Sequence, residues 1–296
     1  MNVAQPALGL QIRQLEEELG VALLTRHSRG VVPTPAGKTL FDHAQRILQL
    51  VNETRAEILS MHGAETETLR LGLTPSIMKL IGYDLIIEAR EEIPQLFLSV
   101  TEELGFVLTE TLKRGELDMA LIYEIKEEPG YTLRPLFDEH LLYVTSRTDA
   151  ESGPIALADV LKEPLALPCS RDYIRRLLEV AAGERGMHVK IAFEVNSPLA
   201  LRTIVLRETA ASVLPYGAIA EEIRNGLVTA RPIVDPVFVR RLYLVRPVGA
   251  KTFHNDAAIE ALMQRMAVKL AQSMGKLMLS PSAELQSFMA QEDSAA

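Results

Sequence analysis

Cysteine is almost absent from this chain, with Cys169 alone in 296 residues. A single thiol excludes an internal disulfide and argues against a switch built from two cysteines. It fits a reducing compartment, so a cytoplasmic location is expected, with Cys169 buried and inert. No apolar run is long enough to cross a bilayer, and no charged-then-apolar leader opens the sequence, so no membrane partner is expected. Catalytic signatures are missing as well. There is no G-x-S-x-G elbow, no G-x-x-x-x-G-K-S/T phosphate loop, no G-x-G-x-x-G and no H-E-x-x-H. The six histidines (His27, His43, His62, His140, His188 and His254) are scattered without metal-ligand spacing. The pairs Glu102/Glu103 and Glu127/Glu128 are adjacent, so on a strand their side chains diverge to opposite faces. Neither an enzyme, a metal nor a cofactor is expected.

What is present is apolar side chain in quantity. Hydrophobic residues make up 48% of the chain, enough to build two or three cores at this length. The net charge of −8 is unevenly spread. Residues 1–62 hold six basic and six acidic side chains, so the whole excess of acid lies beyond them. Arg26, Arg29 and Lys38 gather in the balanced part. An acidic body with a locally basic end suits a molecule that grips a polyanion by one face.

That end is organised around QPALGLQIRQLEEELG, Gln5 to Gly20. Pro6 suits a first helical turn, where its missing N–H costs nothing. Leu8, Ile12, Leu15 and Leu19 recur at the 4-3-4 spacing of one helix face. Gly20 supplies the residue that most easily ends a helix in the left-handed conformation. Gln5, Gln11, Arg13 and Gln14 lie on the other face, where amide and guanidinium groups could read base edges or grip phosphates. VALLTRHSRGVVPTPAG follows, with Arg26, His27 and Arg29 on a glycine-containing loop. The order reads as a recognition helix and a basic wing.

The ordered set Q-P-A-L, L-E-x-E-L-G, R-x-x-R-G and T-x-A-G resembles the winged helix-turn-helix of LysR-type transcriptional regulators over about forty residues. The resemblance implies double-stranded DNA as a partner, namely an inverted repeat in a promoter, with RNA polymerase as a further candidate. It places Gln5, Pro6, Ala7, Gly9, Arg13, Arg26, Arg29 and Thr34 at the DNA. Two departures accompany it. Only Met1 to Ala4 precede the recognition helix, whereas two ordinary helices ahead of it would need about 25 to 30 more residues, so the motif is incomplete in this chain. Ala4, Gly9 and Leu10 replace the serine and Ser-Arg that relatives often carry, removing a cap and two polar contacts.

Thr34 and Pro35 read as the cap and first residue of the next helix. Leu40, Ala44, Ile47, Val51, Thr54 and Ile58 then follow heptad spacing, which points to a dimerising seam and a homodimer or homotetramer. HGAETET, His62 to Thr68, reads as a polar hinge. From Leu69 short strands alternate with helices, the pattern of parallel-sheet α/β domains. LRLGL, FLSVTEE, PLALP, KIAFEV, ASVLP and RRLYLVRP read as strands, RPLFDEHLLYVTS as two strands broken at Asp138, and Ala257 to Ala271 as a closing helix. This order resembles the effector domain of the same family, which has the fold of periplasmic solute-binding proteins. The expected fold class is therefore α/β. A partial winged helix-turn-helix occupies 1–34 and a linker helix 35–62, followed by a two-subdomain effector-binding domain at 69–271. Within that domain, subdomain I is 69–144 with 248–271 and subdomain II is 145–247, the crossover strands being 139–147 and 238–247. Residues 274–296 are expected to form a polar, partly disordered tail.

In open α/β sheets ligands bind beyond the carboxyl ends of strands, and helix N-termini there favour anions. The residues at those places are Thr74 and Ser76, Leu104 and Gly105, Pro168 and Ser170, Asn196 and Ser197, and Pro215 and Gly217. Hydroxyls, an amide and helix ends suit a small carboxylate or other anion as effector. Arg147 or Arg202 would add a cation if it faced inward. A cytoplasmic small-molecule-binding protein without specific DNA binding is the alternative reading.

Overall fold

The computed structural model describes residues 5–27, 30–60, 67–125, 130–146 and 153–295. The chain divides into two compact units, Met1–Glu65 and Thr66–Ala296.

In the first unit, α1 spans Gln5–Leu19 and ends as expected at Gly20, whose φ is +67°. The strands β1 (Leu24–His27) and β2 (Gly30–Pro33) pair antiparallel to form the wing. The Glu16 carboxylate of α1 accepts from the Leu23 and Leu24 amides at 2.7 and 3.0 Å, tying the helix to the wing. α2 then runs over Pro35–Ser60. Thr34 caps it as the sequence suggests, its Oγ1 accepting from the Gly37 amide at 3.0 Å. The same hydroxyl is also 2.7 Å from the Ala22 carbonyl. Gly37 is required by close approach, because a Cβ there would lie 2.0 Å from the Leu23 carbonyl oxygen. Among the residues of this unit whose burial is described, Leu15 and Leu19 of α1 and Ile47 and Val51 of α2 are exposed, and Leu23 is buried.

The second unit continues with β3 (Glu67–Leu73), α3 (Pro75–Glu92), β4 (Leu96–Glu102), α4 (Gly105–Lys113) and β5 (Met119–Tyr123). A long strand, β6 (Tyr131–Thr145), leads to β7 (Ile155–Ala156), α5 (Leu157–Val160) and β8 (Leu165–Leu167). Next come α6 (Tyr173–Gly183), β9 (Ile191–Glu194), α7 (Pro198–Leu206), β10 (Ala211–Pro215) and α8 (Tyr216–Arg224). β11 (Thr229–Val234), β12 (Val239–Pro247), α9 (Asp256–Met274), β13 (Met278–Leu279) and α10 (Ala283–Ala295) complete it. The main strand order is β4-β3-β5-β12-β6-β10-β8-β9. β3 pairs parallel with β4 and β5, and β8 pairs parallel with β9 and β10. β3 and β8 lie between two neighbouring strands and are largely buried on both faces, which is why LRLGL and PLALP carry apolar side chains in both directions. In the first half, α3, α9 and α10 cover one face of the sheet and α4 the other. In the second half, α5 and α6 cover one face, α7 and α8 the other.

Three expectations are corrected here. β6 is not broken at Asp138: it runs unbroken and changes partners instead. Residues up to His140 pair with β12, and Leu141 onward with β10 and β11. Val239–Pro247 also belongs to the first subdomain, because Leu242 and Leu244 enter one of its cores while Val245 enters the other. The return crossing therefore precedes Val239, and the second subdomain ends earlier than 247. Finally, the tail after Met274 is ordered among the described residues. β13 adds to β6, and Leu285, Phe288 and Met289 pack on the first core at one-turn spacing.

Candidate functional site

The DNA-facing residues expected from sequence fall on one short stretch. Gln5, Pro6, Ala7, Gly9 and Arg13 lie on α1, with Arg13 exposed, and Arg26 lies on β1. Arg29 is outside the described residues. Thr34 is engaged within its own unit, as the cap of α2.

The second unit contains a cavity of about 480 Å³. Strand-to-helix junctions build it. The opening residues of α3, α4, α6 and α7 line it, together with Pro215 and Ala218 of the β10–α8 junction. Each such terminus carries the positive end of a helix dipole and N–H groups that no carbonyl of its own helix accepts. Thr74, Ser76, Leu104, Gly105, Pro168, Ser170, Asn196, Ser197 and Pro215 all line the cavity. Gly217 does not. It lies behind the wall, where a Cβ would come 2.3 Å from the Ser76 carbonyl oxygen, so it sets the approach of α8 to α3.

Several lining groups are occupied by the protein itself. Ser197 caps α7, accepting from the Ala200 amide at 3.3 Å. The Asn196 Oδ1 accepts from the Cys169 amide at 2.8 Å and holds that loop. Cys169 is half-buried rather than fully enclosed. Thr74 behaves differently. It occupies the N-cap of α3, yet its hydroxyl makes no cap bond and is buried without a partner.

The charged floor of the cavity was not foreseen. Arg240, at the start of β12, is 6% exposed and donates to the fully buried Glu139 of β6. The Nε and Nη2 distances to Glu139 Oε2 are 2.9 and 2.8 Å. Nη2 also donates to Ser76 Oγ at 3.0 Å, and the guanidinium lies 3.4 Å from the centre of the Tyr123 ring. Glu139 Oε1 accepts from the Tyr216 amide at 3.0 Å, at the start of α8. Burial, and then the Glu139 charge, push the Tyr123 hydroxyl well above its ordinary range. Asp172 caps α6 by accepting from the Ile174 amide at 2.9 Å, and burial raises its carboxyl above the usual value. At the mouth, Arg171 is ion-paired with Glu110 and lies 4.6 Å from the centre of the Phe106 ring.

The two arginines singled out earlier do not supply this charge. Arg202 is ion-paired to Glu222, which is 1% exposed, and Arg147 is outside the described residues. Tyr123 could have been found, since it ends a strand at the sheet edge where ligands bind. Arg240 opens its strand, so that rule passes over it.

Residues 62–267 match the family model described as the LysR substrate binding domain, and residues 1–38 match that of the bacterial regulatory helix-turn-helix protein, lysR family. The chain belongs to the LysR family of transcriptional regulators. This regulator is 30% identical over 247 residues to the HTH-type transcriptional regulator BbuR of Bordetella bronchiseptica, covering 83% of this chain and 76% of the relative. Its fold is similar to a full-length OxyR variant from Pseudomonas aeruginosa, with a TM-score of 0.62 at 24% identity, over 95% of this chain and 90% of that one. It also matches full-length CbnR in complex with its target DNA, with a TM-score of 0.54 at 22% identity, covering 90% and 91%. The chain thus combines the helix-turn-helix and effector-domain parts of a LysR regulator. Among the described residues, no helix is long and apolar enough to cross a membrane.

Proposed function

We propose that this LysR regulator binds an inverted repeat in promoter DNA as a homodimer or homotetramer, and that a small anionic metabolite in the cavity alters that binding. Gln5, Pro6, Ala7, Gly9 and Arg13 of α1 enter the major groove, Arg26 and Arg29 of the wing hold phosphates, and Thr34 stands at the DNA-facing start of α2. The heptad seam of α2 pairs two copies, whose recognition helices then address two half-sites. RNA polymerase is the further partner, and the protein works in the cytoplasm without catalysing a reaction. Thr74, Ser76, Leu104, Gly105, Pro168, Ser170, Asn196, Ser197 and Pro215 surround the effector, with Gly217 setting the wall behind it. The observation that carries the effector reading is the convergence of helix N-termini on one cavity that holds the unpartnered Thr74 hydroxyl. Helix dipoles whose positive ends border one cavity favour negative charge there. The cavity also falls within the ordinary size range of small-ligand sites.

The test is a salt titration of binding to a promoter fragment selected from genomic DNA. Affinity should fall steeply with salt, and Arg29→Ala should weaken binding to all sequences and lower the slope by about 1. An unchanged slope removes Arg29 from the contact. Absence of any specific fragment would favour the small-molecule-binding alternative.

A further inference from the structure

The buried Arg240–Glu139 pair ties β12 and β6 to the first turns of α3 and α8. Enclosing two charges is costly, and well-packed apolar residues often serve stability as well or better. Here the arginine of the pair lines a ligand-sized cavity that is also lined by Thr74, whose buried hydroxyl has no partner. We propose that Arg240 is the residue that reads the negative charge of the effector, with Thr74 Oγ1 as its companion donor and Glu139 as its positioning residue. The inference rests on the cavity being the effector site, and it names the chemistry of that site.

Four observations support it. First, Arg240 is held before any ligand arrives: Glu139 takes Nε and Nη2, Ser76 takes a further bond from Nη2, and the Tyr123 ring supports the guanidinium plane. A guanidinium fixed in this way loses little freedom on binding, and its planar fork matches a carboxylate or phosphate. Second, Nη1 takes part in none of the bonds to Glu139 and Ser76, while Arg240 lines the cavity. Third, Thr74 is 6% exposed and its Oγ1 has no partner, although an N-cap threonine would ordinarily use that atom on its own helix. Fourth, Glu139 neutralises the arginine within the protein, so the site does not carry an uncompensated buried cation while unliganded.

The pair also lies where the chain changes subdomain. Glu139 is two residues before Leu141, at which β6 leaves β12 for β10, and its Oε1 holds the first amide of α8. Arg240 reaches Ser76, in the first turn of α3. An anion on Arg240 therefore engages a network joining α3, the crossover strand and α8, which gives occupancy a direct physical route to the point where β6 passes from one subdomain to the other.

Iodide is the probe, because a monatomic anion makes no demand on effector shape and is located by its anomalous signal. Crystals of the full chain soaked in iodide should show a peak within contact distance of both Arg240 Nη1 and Thr74 Oγ1. That peak should vanish in the double variant Arg240→Met/Glu139→Leu, which leaves no unpaired buried carboxylate, while peaks on exposed arginines persist. Arg240→Lys, a milder change that keeps the charge, should move the peak away from Thr74. Iodide in the cavity but remote from Arg240 would overturn the assignment and leave the cavity as an anion site. Iodide on exposed arginines only would overturn both the assignment and the anionic effector. DNA affinity of the same variants is read separately, so failure of the regulator reading is distinguishable from failure at Arg240.

Discussion

Asp172 caps α6 from within the cavity wall, and burial holds its carboxyl above the ordinary 3.8. A carboxyl that binds its proton more tightly when folded gives stability that is present at low pH and lost as pH rises from 3.8 through the folded value. Asn keeps a cap acceptor without the charge. Asp172→Asn should therefore flatten the fall in melting temperature across this acid window, as followed by thermal unfolding against pH, and a profile unchanged from wild type would refute the assignment. Gly217 allows a sharper test. Its Cβ would meet the Ser76 backbone as well as the Leu80 side chain, and the backbone cannot simply turn aside, so Gly217→Ala should cost about 1–3 kcal/mol, seen as a lower melting temperature. At this scale, the lining residues at strand ends were legible because strand ends and helix caps are local patterns. Arg240 was not, because its burial depends on Glu139, 101 positions away in sequence.

Elements were legible where their pattern is amphipathic and short in range. α1, the cap of α2, and α9 follow directly from apolar spacing and capping residues. In β6 the sequence suggests two strands, because Asp138 looks like a break. Arg241 neutralises that aspartate with a bond of 2.6 Å, and the strand continues through it. α10 was missed because Leu285, Phe288 and Met289 are too few to mark a helix until the core that receives them exists. The α2 seam bears the element-scale prediction. Ile47 and Val51 are 63% and 58% exposed, a large apolar surface to leave in water. Replacing both with Asp should shift the sedimentation of the protein toward the monomer and weaken DNA binding, with the cavity unaffected. Unchanged sedimentation would place the pairing surface elsewhere.

At the scale of the whole molecule, the division at Glu65/Thr66 sets the helix-turn-helix part apart from a unit with extensive cores. A fragment of residues 67–295 should unfold cooperatively in urea by itself. It should keep the iodide site and lose affinity for DNA. Loss of cooperative unfolding would show that the effector unit depends on the preceding one. The sequence alone determined the order of parts: recognition helix, wing, capped linker helix, then strands alternating with helices. Those features arise from spacing, caps and turns that operate over a few residues. Tertiary structure alone decided which subdomain owns β12, where the tail packs and that the buried Arg240 lines the cavity. These depend on burial against partners far away in sequence, and a strand apolar on both faces or a lone arginine carries no local mark of the partner it will meet.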